Sequence, residues 1–323
     1  MYDLILKELA KRDAPIDVIV VGLGFMGFGF LSSSQYTCGI RVPLVLTRRP
    51  EEAVATLTSQ GFLTRLEDNP AEIKAWADKG YICVSADLGL IGAFDNEIVV
   101  EMTGTVAYGT QVALSTLSAG KHLVTMNPEL QATVGYELKE IADKKGLVIT
   151  DVIGDQPGSI ARLISQARLM GFRVLMAGNM KRYLNRHATQ EEMKAWAESK
   201  GLAVRQTTSF TDGTKQAIEM NLVANYFDMD TLEFGMKGPR VDDIKEALTQ
   251  FDWSRIPAGG IVDYVIGKNL FPGVFIIAEH SDNHQKGYLS YLGLGQGPRY
   301  VLFEPYHLCH LEVAGTIAKV VLF

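Results

Sequence analysis

At 323 residues, with 47% hydrophobic and 21% charged, the chain has the composition of a globular protein long enough for two domains of ordinary size. A net charge of -6 with no Lys/Arg block excludes a generic nucleic-acid binder, and no apolar span approaches the ~18 residues of a transmembrane helix. Cys38, Cys83 and Cys309 are odd in number and far apart, which excludes a disulfide framework or CxxC metal knuckle, so a cytoplasmic protein with no metal site is expected.

The opening MYDLILKELAKRD reads as an amphipathic helix rather than a signal peptide. Ile16–Val21 is a short apolar, β-branched run, which predicts a buried parallel strand. It runs into Gly22, Gly24 and Gly27, spaced G-x-G-x-x-G, with a helical segment Phe28–Tyr36 beyond. In that context Gly22 allows the sharp turn, Gly24 lets a pyrophosphate approach the backbone and Gly27 lets the helix pack on the strand. The loop Gly22, Leu23, Gly24, Phe25, Met26 and Gly27 is therefore the predicted dinucleotide cradle. The next strand, Arg41–Leu46, ends in Thr47, Arg48 and Arg49, where the adenosine ribose is expected. Basic residues there suit a 2′-phosphate and favour NADP, with NAD the alternative; the plainer reading is a pair of solvated charges before Pro50.

Helices are predicted over Pro50–Gln60 and over Pro70–Lys79, the second capped by Asn69. Glu97–Met102 is the next strand, followed by Thr103, Gly104, Thr105 and a helix through Ser118. Lys121–Met126 is another, leading into Asn127-Pro128-Glu129 and a helix to Lys145, with a further strand in Gly146–Gly154. This alternation predicts an α/β fold, a doubly wound parallel Rossmann sheet, over residues 1–153. The loops at Gly22–Gly27, Thr103–Thr105 and Asn127–Glu129 should then converge beyond the carboxyl ends of the strands.

Residues 154–310 read as a second, α+β domain with a mixed sheet, which would bind the substrate. A turn at Asp155–Gly158 leads into a helix over Ser159–Met170, a strand over Phe172–Gly178 and a polar cluster containing Asn179 and Lys181. Thr189 and Glu192 have capping-box spacing at the head of a helix to Ser199. Thr211–Asn221 opens a helix whose first turn presents Asp212 and Lys215, with Glu219 on the Lys215 face. By pattern alone this is an N-cap and a surface ion pair. Val241–Thr249 reads as helix, and Val274–Glu279, Tyr288–Gly293 and Tyr300–Glu304 as strands of an antiparallel meander. His280 and His284 fall in a loop, where spacing by four has no metal-binding geometry, and His307 is a candidate substrate contact.

Val99–Asn127, a strand followed by T-G, a helix and A-G-K-H-L-V-T-M-N, resembles homoserine dehydrogenases, which carry an "AGKH" turn and a "VTAN" strand end. The resemblance implies that Thr103–Thr105 and Asn127 flank the nicotinamide and the substrate. It also implies a catalytic pair, Lys215, followed by Gln216-Ala217-Ile218, with Asp212 three positions before it rather than four. Pro128 departs from the family, which has a catalytic Lys there, and this argues against homoserine as substrate. The GDxPxS-like turn at Asp155–Ser159, the DGTK turn, Tyr306–Glu312, Met126-Asn127 with Glu129, and Thr133-Val134-Gly135 resemble one branch more closely. These are homoserine dehydrogenase-like oxidoreductases that often carry a C-terminal SAF domain, some acting as 1-deoxy-D-xylulose 5-phosphate reductoisomerase-like enzymes. The resemblance implies that residues 311–323 form a helix returning to the first domain and that the protein is a homo-oligomer.

The expected function is NAD(P)-dependent hydride transfer between NADPH and a carbonyl or hydroxyl of a small polar metabolite, sugar-derived or a hydroxy acid. Lys215 would protonate the developing alkoxide, oriented by Asp212, while Asn127, Glu129, Asp155, Lys181 and Glu219 bind substrate. One alternative is a reductoisomerase acting on a sugar phosphate with a divalent metal, for which Asp155, Asp212 and Glu219 are the available carboxylates. A second is a non-catalytic NADP-binding regulator, prompted by Pro128.

Overall fold

The computed structural model describes residues 2–323, which form two compact units. The first comprises the chain up to Gly154 together with Cys309–Phe323; the second is Asp155–Leu308.

The first unit opens with α1 (Tyr2–Ala10), β1 (Ile16–Val21), α2 (Phe25–Ser34), β2 (Ile40–Leu46), α3 (Pro50–Ser59), β3 (Thr64–Leu66), α4 (Pro70–Ala77) and β4 (Ile82–Ser85). A short α5 (Leu90–Ala93), β5 (Ile98–Glu101), α6 (Val106–Ser118), β6 (His122–Thr125), α7 (Pro128–Lys144) and β7 (Ile149–Asp151) follow. The strands make one seven-stranded sheet in the order β3-β4-β2-β1-β5-β6-β7, with every pairing parallel. The doubly wound parallel sheet expected from the sequence is the fold observed.

Alternation along β1 explains why such a short run suffices. Ile16, Val18 and Val20 enter the core beneath one face, and Ile19 and Val21 the core beneath the other, so every apolar position is buried and only Asp17 is partly exposed. The chain order reverses between β1 and its neighbours β2 and β5, which makes a topological switch point at the carboxyl end of β1. The helix after the glycine loop begins at Phe25, three residues before the predicted start, because the last glycine of the motif already lies inside it. β3, β4 and α5 were not foreseen, and β7 is shorter than its predicted run. Elements of three or four residues carry too little pattern to read.

The second unit contains α8 (Gln156–Leu169), β8 (Arg173–Lys181), α9 (Gln190–Ser199), α10 (Val204–Asp212), α11 (Thr214–Phe227), β9 (Ile261–Ile266), β10 (Val274–Glu279), α12 (Asn283–Tyr291) and β11 (Arg299–Glu304). Its four-stranded sheet runs β11-β10-β8-β9; β8 and β9 are parallel, and β10 is antiparallel to both β8 and β11. The sheet is mixed, as expected, but β9 was missed and makes it more than a meander. Ile160 and Ile164 of α8 and Met220 and Val223 of α11 bury one sheet face, meeting Ala177, Val262 and Ile276. Met176, Val265, Phe275 and Ile277 on the other face meet Val241, Ile244, Ala247 and Phe251.

Three further expectations are corrected here. Tyr288–Gly293 is not a strand, since Tyr288–Tyr291 end α12; the Asp282 carboxylate accepts the Gln285 N–H at 2.8 Å, and this cap outweighs the strand preference of the tyrosines. Val241–Thr249 narrows to a 3₁₀ segment, Ile244–Thr249, capped by Asp243. Asp212 closes α10 rather than opening the helix that carries Lys215, and the two helices are broken at Gly213, whose φ of +92° suits glycine. The first unit is completed by a 3₁₀ turn, Cys309–Glu312, and α13 (Val313–Leu322), whose Val313, Ile317 and Ala318 share a core with Ile5 and Leu9 of α1. No helix among the described residues is long and apolar enough to cross a membrane.

Candidate functional site

The glycine loop sits at the carboxyl end of β1, and its three glycines meet three different constraints. Gly22 has a φ of +99°, and a Cβ there would stand 2.7 Å from the Met102 carbonyl oxygen. A Cβ on Gly27 would lie 2.1 Å from the Gly22 carbonyl oxygen. Gly24 has nothing within 4 Å of the same position. Gly22 and Gly27 are thus required by the protein's own backbone, whereas the open side of Gly24 leaves room for an incoming group. Gly24 is also the N-cap of α2 and offers no side-chain cap, so the first-turn N–H groups of Phe25, Met26 and Gly27 are left for an external acceptor. Open space over Gly24 and an uncapped helix start fit a pyrophosphate. At the end of β2, Thr47 Oγ1 accepts the Arg49 N–H at 3.4 Å, and Arg49 pairs with Glu52 at 3.0 Å. Exposed Arg48 lies over the Tyr108 ring, 5.3 Å from its centroid.

The loops after β5 and β6 are tied together by a residue the sequence reading did not single out. Glu101, the last residue of β5, is fully buried. Its Oε1 accepts the Thr103 N–H at 2.7 Å and the Thr103 hydroxyl at 2.5 Å, and its Oε2 accepts the Thr125 hydroxyl at 2.7 Å. Asn127 is fully buried as well. Its Oδ1 caps α7 by accepting the Leu130 N–H at 3.1 Å, and its Nδ2 donates to the Thr105 carbonyl at 3.1 Å and to Glu101 at 3.4 Å. Its side chain is therefore spent on holding the loop and the start of α7. Gly104 turns at a φ of +63°, and the Thr105 hydroxyl is buried without a partner among the described residues. Glu129 follows Pro128 in the first turn of α7, partly exposed.

In the second unit, four of the expected groups form one electrostatic cluster. Lys215 Nζ lies 3.5 Å from Glu219 Oε1, one helical turn on along α11. Glu219 is fully buried, and burial pushes its carboxyl up to about 7; Asp155 raises it further, while Lys215 and Lys181 pull it down. Lys181, at the end of β8, is pushed below its usual range by burial, with Lys215 adding to the effect and Glu219 and Asp155 opposing it. Asp155 caps α8 by accepting the Gln156 N–H at 3.0 Å. Gln156 Nε2 meets His307 Nε2 at 3.4 Å, and its Oε1 accepts from Asn179 Nδ2. Asp212 is used otherwise: its Oδ1 accepts the Thr214 N–H at 2.8 Å. Lys215 Nζ instead lies 5.1 Å from the centroid of the Phe210 ring.

The boundary between the two units coincides with the boundary between two family models. Residues 22–150 match "Homoserine dehydrogenase, NAD binding domain", and residues 154–313 match "Oxidoreductase DRL, catalytic domain". The first unit is thus similar to homoserine dehydrogenases and the second to DRL oxidoreductases, and the two matches together support a homoserine dehydrogenase-like NAD(P) oxidoreductase. Similar curated proteins include the homoserine dehydrogenase of Methylobacillus glycogenes, 28% identical over 126 residues, which are 39% of this chain and 29% of that one. The chain thus matches less than a third of that relative's length. Among solved structures, a probable dehydrogenase from Thermotoga maritima aligns over 95% of this chain and 89% of its own, with a TM-score of 0.54 at 13% identity. A homoserine dehydrogenase from Thiobacillus denitrificans aligns over 95% and 73%, with a TM-score of 0.53 at 15% identity. At such identities these two structures share the fold alone.

Within this family framework, the sequence reading overlooked Glu101 and Gln216. An acidic residue closing a buried parallel strand was the available signal for Glu101, since an unpartnered charge is not tolerated there. Gln216 lay inside the quoted run after Lys215, but only the helix's packing reveals that it points inward.

Proposed function

We propose that the protein is an NADP-dependent oxidoreductase acting on a carbonyl or hydroxyl of a small polar metabolite. The observation that carries the reading is the Lys215–Glu219 pair, a cation beside a buried carboxyl whose proton is poised near neutrality. The first unit holds the nicotinamide dinucleotide, with Gly24 and the α2 amides against the pyrophosphate and Arg48 and Arg49 beside the ribose. Bound there, the cofactor supplies the hydride. The second unit binds the substrate. Lys215 Nζ hands a proton to the oxygen that becomes an alcohol, and Glu219 returns one to Nζ, which restores the ammonium. Lys181 supplies a second positive charge that lowers the energy of the developing alkoxide. Asp212 is given no part in proton transfer, since its carboxylate serves the α10–α11 junction.

The test is Lys215→Ala in the full chain, with NADPH binding read by fluorescence and turnover read across a panel of carbonyl compounds. Retained binding with turnover lowered by ~100-fold or more is expected of a lost general acid; unchanged turnover removes the assignment. The match of residues 154–313 to the DRL catalytic family supports a second reading, a reductoisomerase working on a sugar phosphate. Strict dependence on Mg²⁺ or Mn²⁺ selects that one. NADPH binding without reduction of any panel member selects a non-catalytic NADP sensor. A cytoplasmic homodimer accompanies the reading by family analogy.

A further inference from the structure

We infer that the substrate carries several adjacent hydroxyl groups and that Gln216 is the residue that reads them; this rests on the oxidoreductase reading above. Gln216 has 1% of its surface exposed, and neither its Oε1 nor its Nε2 has a hydrogen-bond partner among the described residues. One turn further along α11, both oxygens of fully buried Glu219 also lack a hydrogen bond, although Lys215 Nζ stands 3.5 Å from one of them. Asn179 of β8, 1% exposed, gives its Nδ2 to Gln156 but leaves its Oδ1 unpartnered. Isolated orphans of this kind are uncommon in folded proteins, because a buried polar atom gives up its water and gains no partner in return. Several of them on the residues around Lys215 and Lys181 mark a surface made for something other than the protein itself.

The character of the unmet demand selects the ligand. Gln216 Oε1 and Asn179 Oδ1 are acceptors and Gln216 Nε2 is a donor, while the Glu219 carboxyl accepts with one oxygen and, when it holds its proton, donates with the other. A carboxylate or phosphate ester brings acceptors only and suits the lysines rather than these atoms. An ammonium brings donors but would stand beside the cations of Lys215 and Lys181. Hydroxyls alone donate and accept without charge. A carboxamide presents one acceptor and one donor side by side, which is the complement of a vicinal diol, one hydroxyl donating to Oε1 and the next accepting from Nε2. Gln216 is thus a specificity residue for a polyol or sugar-like substrate, and Lys215 acts on an oxygen of the same carbon chain.

The experiment is a thermal-shift comparison of wild-type chain and Gln216→Met, each with NADPH present. The probes are aldoses, alditols and their monophosphates of four to six carbons, each paired with its monodeoxy analogue. At least one probe should bind wild type about tenfold or more tightly than its deoxy partner, as the loss of one buried hydrogen bond predicts. Gln216→Met should erase that preference while melting no lower than wild type without ligand, because an apolar side chain of similar length removes two unpaired polar atoms. A wild type that treats every probe and its deoxy partner alike overturns the inference, as does a variant that keeps the preference. NADPH alone separates the two levels: a normal NADPH shift with no hydroxyl preference sinks only the assignment of Gln216. A missing NADPH shift sinks the oxidoreductase reading and this inference with it.

Discussion

Replacing Glu101 with alanine tests whether the loops after β5 and β6 are held by a single carboxylate. Three strong hydrogen bonds would be lost, from the Thr103 amide at 2.7 Å, the Thr103 hydroxyl at 2.5 Å and the Thr125 hydroxyl at 2.7 Å, together with the weaker contact from Asn127 at 3.4 Å. Bonds to a charged acceptor contribute ~1.5–3 kcal/mol each, but removing a buried charge held by neutral donors recovers part of its desolvation. The hydroxyls can also turn toward other acceptors, so the net loss should be ~2–4 kcal/mol. Glu101→Gln keeps the shape and one acceptor oxygen and should lose about half as much. Urea unfolding followed by circular dichroism measures both, and NADPH titration by fluorescence reads the loops directly. If Glu101 positions the loops, the alanine variant binds NADPH at least ~10-fold more weakly, and glutamine recovers most of the difference. An alanine variant within ~1 kcal/mol of wild type with unaltered NADPH affinity would refute the reasoning.

Other outcomes follow from single features. Gly24→Ala should melt like wild type yet lose cofactor binding, whereas Gly27→Ala, with its Cβ 2.1 Å from the Gly22 oxygen, should fail to fold stably; calorimetry with and without NADPH distinguishes them. Arg48→Ala should weaken NADPH by ~10–100-fold and NADH far less, the difference being one charge-assisted contact to the 2′-phosphate, read by paired titrations. Glu219 holds its proton to about 7 when folded and releases it from 4.5 when unfolded, so its contribution is complete below pH 4.5 and is lost as the pH rises to 7. The loss should total about 3 kcal/mol, and Glu219→Gln should be flat over that interval in melts at stepped pH.

Much of the first unit was legible because its physics is local. A strand buried on both faces must be continuously apolar, and a phosphate-binding turn must use glycine where the backbone crowds itself, so Ile16–Gly27 announces itself. The second unit was harder for the converse reason. Ile261–Ile266 carries Asp263, which a sequence reader counts against a strand, yet the carboxylate is satisfied by the N–H groups of Lys237 and Gly238 at 2.9 Å each, from a segment distant in sequence. Asp212 and Lys215 read as neighbours on one helix face, but Gly213 breaks the axis between them. Lys181 and Glu219 were named as separate candidates 38 positions apart; only the packing of α11 over the sheet puts them in one field.

The segment Cys309–Phe323 has a bearing on how the first unit is put together. Because the unit with the seven-stranded sheet is assembled from the chain before Asp155 and from Cys309–Phe323, the second unit is an insertion in its host. Val313, Ile317 and Ala318 plug a core whose other walls come from the chain between Ile5 and Val152, Leu9 of α1 among them. A ribosome-bound nascent chain therefore carries an unsealed first unit until residues 309–323 have been made, whatever the inserted unit has done by then. Removing those final helical turns should leave a greasy trough under α1 and a protein prone to chaperone capture.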